Sequence, residues 1–206
     1  MTRKIAFVLF DGAEELDFVG PWEVFTMLAQ LEPGSCECYV VSEKGGEVKC
    51  AKGMRVVSDF SFAAAPSPDI FIVPGGRGTR IEKDNPAMLE WVRAAAASAE
   101  ISTSVCTGAL VLQSAGLLAG KQVTTHWRAV PELQALGDDF SIITGTRWVD
   151  EGDVVTAAGV SAGIDMSLHL VGRLWSPEIA RNVQLRMEYF PAPPYQDVPL
   201  PETYPC

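Results

Sequence analysis

Cys106 stands at a junction of two kinds of sequence. The run Ile101-Ser-Thr-Ser-Val105 is β-branched or small and reads as a buried strand, whereas Ala109 onward is a helix-forming run with an apolar stripe. A cysteine on the turn between them, with Gly108 giving the backbone room, would receive the first unpaired N–H groups of the new helix. A helix N-terminus favours negative charge, which lowers a thiol pKa and yields the thiolate, the nucleophilic form. The stretch alone serves a buried structural cysteine equally well, the usual fate of a free thiol.

Three other places could supply partners. Asp17 lies between Leu16 and Phe18; apolar surroundings raise a carboxyl pKa and suit it to act as a general acid. Gly75 and Gly76 follow the apolar run Asp69–Val73, and a glycine-rich loop there presents N–H groups to an anion or a developing oxyanion. It lacks the Gly-Lys-Ser/Thr ending of a phosphate loop. His126, in Val123-Thr-Thr-His-Trp127, is either a site residue that tunes or deprotonates a reactant or a packed structural histidine. Glu14 reads as a solvated helix entry, and His169 as a core or surface histidine within a helix.

These residues need elements to hold them. Lys4–Phe10, Glu37–Glu43, Asp69–Val73 and Ile101–Val105 read as strands. A helix started or kinked by Pro21 follows the first strand, and one over Ala87–Ala99 is announced by Asn85-Pro86. Glycines 45, 46 and 53 mark a small hairpin arm ending near Phe62. Further on come a strand end at Val123–Trp127, a short helix over Pro131–Leu136, and strands at Phe140–Thr144, Arg147–Val149 and Val154–Ala157. Next is a helix with a stripe of Ile164, Leu168, Val171 and Trp175, and a last one, capped by Ser176, running to Tyr189. Alternating strands and helices imply a parallel sheet between helix layers, and ligands bind such sheets outside the carboxyl ends of the strands. Asp17, Gly75-Gly76 and Cys106 each follow a strand, so all three fall on that edge. That convergence favours Cys106 as a nucleophile.

At 206 residues and 48% hydrophobic composition, the chain can bury one full core and is read as a single domain, 1–206, with a proline-rich tail over 191–206. No apolar run reaches membrane-spanning length and the start is not a signal peptide, so a cytoplasmic protein without a membrane partner is expected. The five cysteines are odd in number and scattered, unlike a secreted disulfide framework. Cys36 and Cys38 share a strand face, but only Cys50 is near them in sequence, so no metal is expected. With 26 acidic against 16 basic side chains and a net charge of −10, no nucleic-acid partner is expected, and a small-molecule substrate is.

The elbow Ser104-Val-Cys106-Thr-Gly108, the loop Pro74-Gly-Gly76, the acid in Leu16-Asp17-Phe-Val-Gly-Pro21 and the run Ala115–Gly120 through Thr124-Thr-His-Trp127 resemble the ThiJ/PfpI superfamily. Within it the chain is most similar to the isocyanide hydratases, from about Ile5 to Pro194, with Gly159–Asp165 and Glu188–Pro194 also matching. The resemblance implies a flavodoxin-like three-layer α/β sandwich of the class I glutamine amidotransferase-like type, a homodimer, no metal and no organic cofactor. It also implies Cys106 as nucleophile, Asp17 as the carboxylic acid at its sulfur, Thr107 as catalytic neighbour, and the N–H groups of Gly76 and Thr107 as the anion-stabilising pair. Gly75 and His126 are further site neighbours. The implied reaction is hydration of an isocyanide to an N-substituted formamide through a Cys106 thioimidate.

Thr107 stands where PfpI-type peptidases carry histidine, so a Cys-His dyad of that design is absent; Asp17 stands where glyoxalase-like relatives usually carry glutamate. The amidase-like domains of AraC-type regulators share the Leu-Asp-x-x-Gly-Pro, Cys-Thr-Gly and Thr-Thr-His-Trp signatures. The alternative function is therefore a stand-alone domain of that kind, a thiol redox sensor or small-molecule binding module.

Overall fold

The computed structural model describes residues 2–195 and Val198, so Cys206 and much of the expected proline-rich tail lie outside the described residues. The first apolar run forms β1 (Arg3–Val8). It ends before Phe10 because the Phe10 carbonyl turns back to accept the Ala13 N–H at 3.1 Å. α1 (Glu15–Leu31) then begins six residues ahead of Pro21, which neither starts it nor ends it. A proline there withholds the N–H that would pair with the Asp17 carbonyl, so the helix carries its one missing rung at the residue expected to do chemistry.

β2 (Cys36–Ser42) is followed by the expected arm, an antiparallel pair of β3 (Gly46–Lys49) and β4 (Arg55–Ser58), and by the edge strand β5 (Phe60–Ser61). β6 (Ile70–Val73) leads through the glycine loop to α2 (Thr79–Glu82) and α3 (Pro86–Ala96). The Asn85 side chain caps α3 by accepting the Ala87 N–H at 3.0 Å. β7 (Ile101–Val105) then turns into α4 (Gly108–Ser114).

The next stretch is less strand-like than its sequence suggests. β8 is confined to Gln122–Val123 and pairs with β9 (Ser141–Ile142) in a sheet of its own; Trp127–Ala129 is a 3₁₀ turn leading into α5 (Val130–Gln134). Thr124 leaves the ladder because its N–H is taken by Thr156 Oγ1 at 2.8 Å. β10 (Trp148–Asp150) and β11 (Val154–Ala157) form the expected hairpin, followed by α6 (Ala162–Leu174) and α7 (Pro177–Arg186), the latter capped by Ser176 Oγ.

The main sheet has the order β10-β11-β7-β6-β1-β2-β5, parallel except for β10. α1, α6 and α7 pack on one another against one face, while α4 lies on β6 and β7 with α2, α3 and α5 around it. This is a flavodoxin-like three-layer α/β sandwich. Its central strands are closed on both faces: Ile5, Phe7, Ile70, Phe71, Ile72 and Ile101 are fully buried, each contributing roughly 1.5–3 kcal/mol. The expected stripe of α6 needs correction. The residues it buries are Ala162, Gly163, Met166, Ser167, Leu170 and Val171, while Ile164, Leu168 and Trp175 are half-buried flanks. Small residues let α6 come close, since a Cβ on Gly163 would lie 3.0 Å from Val105 Cγ2 and 3.1 Å from Pro21 Cγ.

Candidate active site

Cys106 occupies the turn between β7 and α4, and its backbone has φ of 57°. A non-glycine residue in this left-handed region costs about 1–3 kcal/mol and persists where surrounding contacts hold it. Here the Cys106 N–H is shared between the Ala157 and Ala158 carbonyls at 3.1 and 3.0 Å, and its carbonyl accepts the Thr125 hydroxyl at 2.8 Å. Gly108 is required for a different reason from a positive φ: a Cβ there would lie 2.9 Å from the Val73 carbonyl carbon and 3.0 Å from Pro74 O.

Asp17 lies in the first turn of α1 and is completely buried. Its Oδ2 accepts the Gly75 N–H at 2.8 Å, while its buried Oδ1 has no hydrogen bond of ordinary length. Burial pushes its carboxyl up to about 7, against the smaller opposing effect of the Gly75 N–H and with a further rise from Glu14. Cys106 is its neighbour, and Gly75 packs against both: a Cβ on Gly75 would lie 2.6 Å from Thr107 N, 2.7 Å from Asp17 Oδ2 and 2.8 Å from Cys106 Cβ.

The thiol departs from the sequence expectation. The Thr107 and Val160 N–H groups do favour the Cys106 thiolate, but burial and the Asp17 carboxylate outweigh them and push the thiol up to about 12. A helix end is worth about 0.3–1 kcal/mol near a surface, less than desolvation of a side chain that is 6% exposed.

Thr107 ties the elbow to the glycine loop. Its hydroxyl accepts the Gly76 N–H at 3.0 Å and donates to Gly76 O at 3.2 Å, while the Thr79 hydroxyl donates to Gly76 O at 2.8 Å. The Gly76 N–H is therefore engaged by Thr107 Oγ1, and the donors directed at the sulfur are those of Thr107 and Val160. Gly76 has φ of 116° and packs on the backbone of Gly12, Ala13 and Glu14, a close approach that admits no side chain.

Cys106, Thr107, Gly76 and His126 line one cavity of about 550 Å³, which Lys52 of the β3–β4 arm also reaches. His126 Nδ1 accepts the Arg128 N–H at 3.2 Å, which puts the ring proton on Nε2. Burial, then Arg128 and Arg80, hold this imidazole below its ordinary pKa, so it is neutral near pH 7. His169 is remote: it pairs with Asp150 at 2.7 Å beside Arg173. Among the described residues no cluster of three His, Cys, Asp or Glu could hold a metal ion, and no helix is long and apolar enough to cross a membrane.

The sequence profile of the DJ-1/PfpI family matches residues 3–173. The chain belongs to the DJ-1/PfpI family. Similar proteins include an isonitrile hydratase of Pseudomonas putida, 37% identical over all of this chain and 86% of that one. They also include the HTH-type transcriptional regulator CdhR of Pseudomonas aeruginosa, 29% identical over 89% of this chain, which spans 54% of the regulator. Among solved structures, a ThiJ/PfpI family protein from Pseudomonas syringae matches with a TM-score of 0.87 and 32% identity, covering 95% of this chain and 78% of that one. Drosophila melanogaster DJ-1beta shares the fold at a TM-score of 0.81 and 22% identity, covering 93% of this chain and all of that one.

Two contributors to this DJ-1/PfpI site carry little signal in the sequence. Val160, with φ of 44°, directs its N–H at Cys106, and Thr125 fixes the Cys106 carbonyl. A β-branched residue in a left-handed conformation leaves no mark in the sequence; Thr125 is marked only by its place beside His126.

Proposed function

We propose that this protein is a cysteine-dependent hydratase that adds water to an isocyanide (isonitrile) and releases an N-substituted formamide. The observation that carries the reading is the buried Asp17 carboxyl, pushed up to about 7, lying beside the Cys106 thiol where Gly75 packs against both. The likeness to the Pseudomonas putida isonitrile hydratase, 37% identical over all of this chain, supports it.

The reaction follows from one proton held between two groups. Between the ionisations of the pair the proton rests on the Cys106 thiol beside the Asp17 carboxylate, and the reaction begins as Asp17 takes that proton, leaving a thiolate beside a carboxylic acid. The sulfur adds to the terminal carbon of R–NC, forming the C–S bond, and Asp17 returns the proton to that carbon, giving the thioimidate S–CH=N–R. Water then adds to the same carbon, one of its protons passes to nitrogen, and the C–S bond breaks. The remaining water proton returns to the Cys106–Asp17 pair as R–NH–CHO leaves. One water is consumed and no electrons are exchanged. The Thr107 and Val160 N–H groups support the anionic sulfur, and Thr107 Oγ1 holds the loop that positions Gly75.

The same proposal includes a cytoplasmic homodimer that works without metal or organic cofactor. Light scattering on purified protein and turnover after chelation test the last two parts. The likeness to CdhR favours a second reading, a binding module without turnover. Incubating purified protein with an excess of a simple isocyanide and following formamide separates the two, since the binding module yields none.

A further inference from the structure

The chain as a whole is acidic, with 26 carboxylate side chains against 16 cationic ones, yet the cavity at Cys106 reverses that balance. Lys52, Arg77, Arg80 and Arg128 line it, and Glu14 is the one carboxylate among its lining residues. Two of those cations are already neutralised, Lys52 by Glu14 and Arg80 by Glu132 at 2.5 Å. Arg77 and Arg128 are not: among the described residues neither forms an ion pair. Arg77 Nη2 donates to the Ala51 carbonyl at 3.0 Å, and the Arg128 guanidinium lies 5.8 Å from the Trp127 ring. Both side chains are exposed, so most of their donors are open to a ligand. The field of Arg128 reaches the cavity wall, since it is among the groups that hold His126 below its ordinary pKa.

We propose that the mouth of this cavity is a carboxylate-binding subsite formed by Arg77 and Arg128, so that the isocyanide it takes carries a carboxylate on its R group. The isocyanide part rests on the hydratase reading; the carboxylate part rests on the cations alone. An isocyano group is slim and uncharged and offers little to grip, so recognition falls to R. A guanidinium binds a carboxylate through two parallel N–H···O bonds, and a positive cleft on a negative protein concentrates anions where the surrounding surface repels them.

The test is a calorimetric titration of the Cys106→Ala protein with isocyanoacetate and with its methyl ester, repeated in that background with Arg77→Gln and with Arg128→Gln. N-formylglycine and its methyl ester give the same comparison on wild-type protein. The acid should bind about ten- to a hundredfold more tightly than the ester, through charge-assisted hydrogen bonds. That preference should shrink in each arginine variant and in about 0.5 M salt. Ester binding as tight as acid binding, or a preference untouched by both arginine substitutions, overturns the subsite. Wild-type turnover separates the two inferences. Acid-selective binding with no turnover of either isocyanide supports the subsite and rejects the hydratase, whereas equal or faster kcat/KM for the ester keeps the hydratase and rejects the subsite.

Discussion

Gly75 donates its N–H to Asp17 Oδ2 at 2.8 Å, and its own Cα leaves no room for a methyl group between that oxygen and Cys106 Cβ. One residue thus holds the acid and packs closely against the nucleophile. Gly75→Ala should lower turnover by about a hundredfold, because displacement of a reacting group by about 1 Å costs that much. Its melting temperature should drop by several degrees, as expected for about 1–3 kcal/mol of overpacking. Unchanged turnover in the alanine variant would remove Gly75 from the site.

Asp17→Asn keeps the shape of the acid and deletes its transferable proton. Turnover should fall by two orders of magnitude or more. In the wild type, kcat/KM should rise with pH through about 7, as the Asp17–Cys106 pair gives up its first proton. A retained acid limb near 7 in the asparagine variant would assign that ionisation to another group.

The same substitution should do the opposite to alkylation. The Asp17 carboxylate is one of the forces that push the Cys106 thiol up to about 12, so removing it lets the thiolate form at lower pH. Iodoacetamide labelling of Cys106, followed by peptide mass mapping, should shift to lower pH in Asp17→Asn. A shift to higher pH would mean that Asp17 favours the thiolate in the resting protein.

Stability should carry the mark of the buried acid as well. Folding raises the Asp17 pKa from 3.8 to about 7, so the folded chain holds a proton that the unfolded chain releases. The stability this contributes is whole below pH 3.8 and is lost as pH rises to about 7. Between pH 5 and 8 the wild type should therefore lose roughly 2–3 kcal/mol relative to Asp17→Asn in urea unfolding. Parallel pH profiles of the two proteins would show that Asp17 is ionised at no cost.

The layered fold and the edge at which Asp17, Gly75 and Cys106 gather were legible in the sequence, because apolar strands such as Ile70–Val73 and Ile101–Val105 advertise themselves and each is followed by a functional residue. The thiol pKa was not legible. A helix N-terminus is visible in a sequence, whereas the burial that outweighs it depends on how α1, the glycine loop and the Val160 turn close over the sulfur. The strand expected through Thr124 and Thr125 also failed, since both threonines turn away from a ladder, one to Thr156 and the other to the Cys106 carbonyl. The buried face of α6 differs from its apolar stripe because Gly163 and Ser167, small and unremarkable in a pattern of apolar residues, are buried, Gly163 directly against Val105.

Repeated turnover of an isocyanide bears most directly on the proposed chemistry. Purified protein, free of added metal or cofactor, should convert many equivalents of isocyanide per chain to formamide, and Cys106→Ala and Cys106→Ser should abolish this, a serine hydroxyl being far less ionised than a thiol. Formamide limited to one equivalent per chain, or activity that persists in Cys106→Ala, would contradict it.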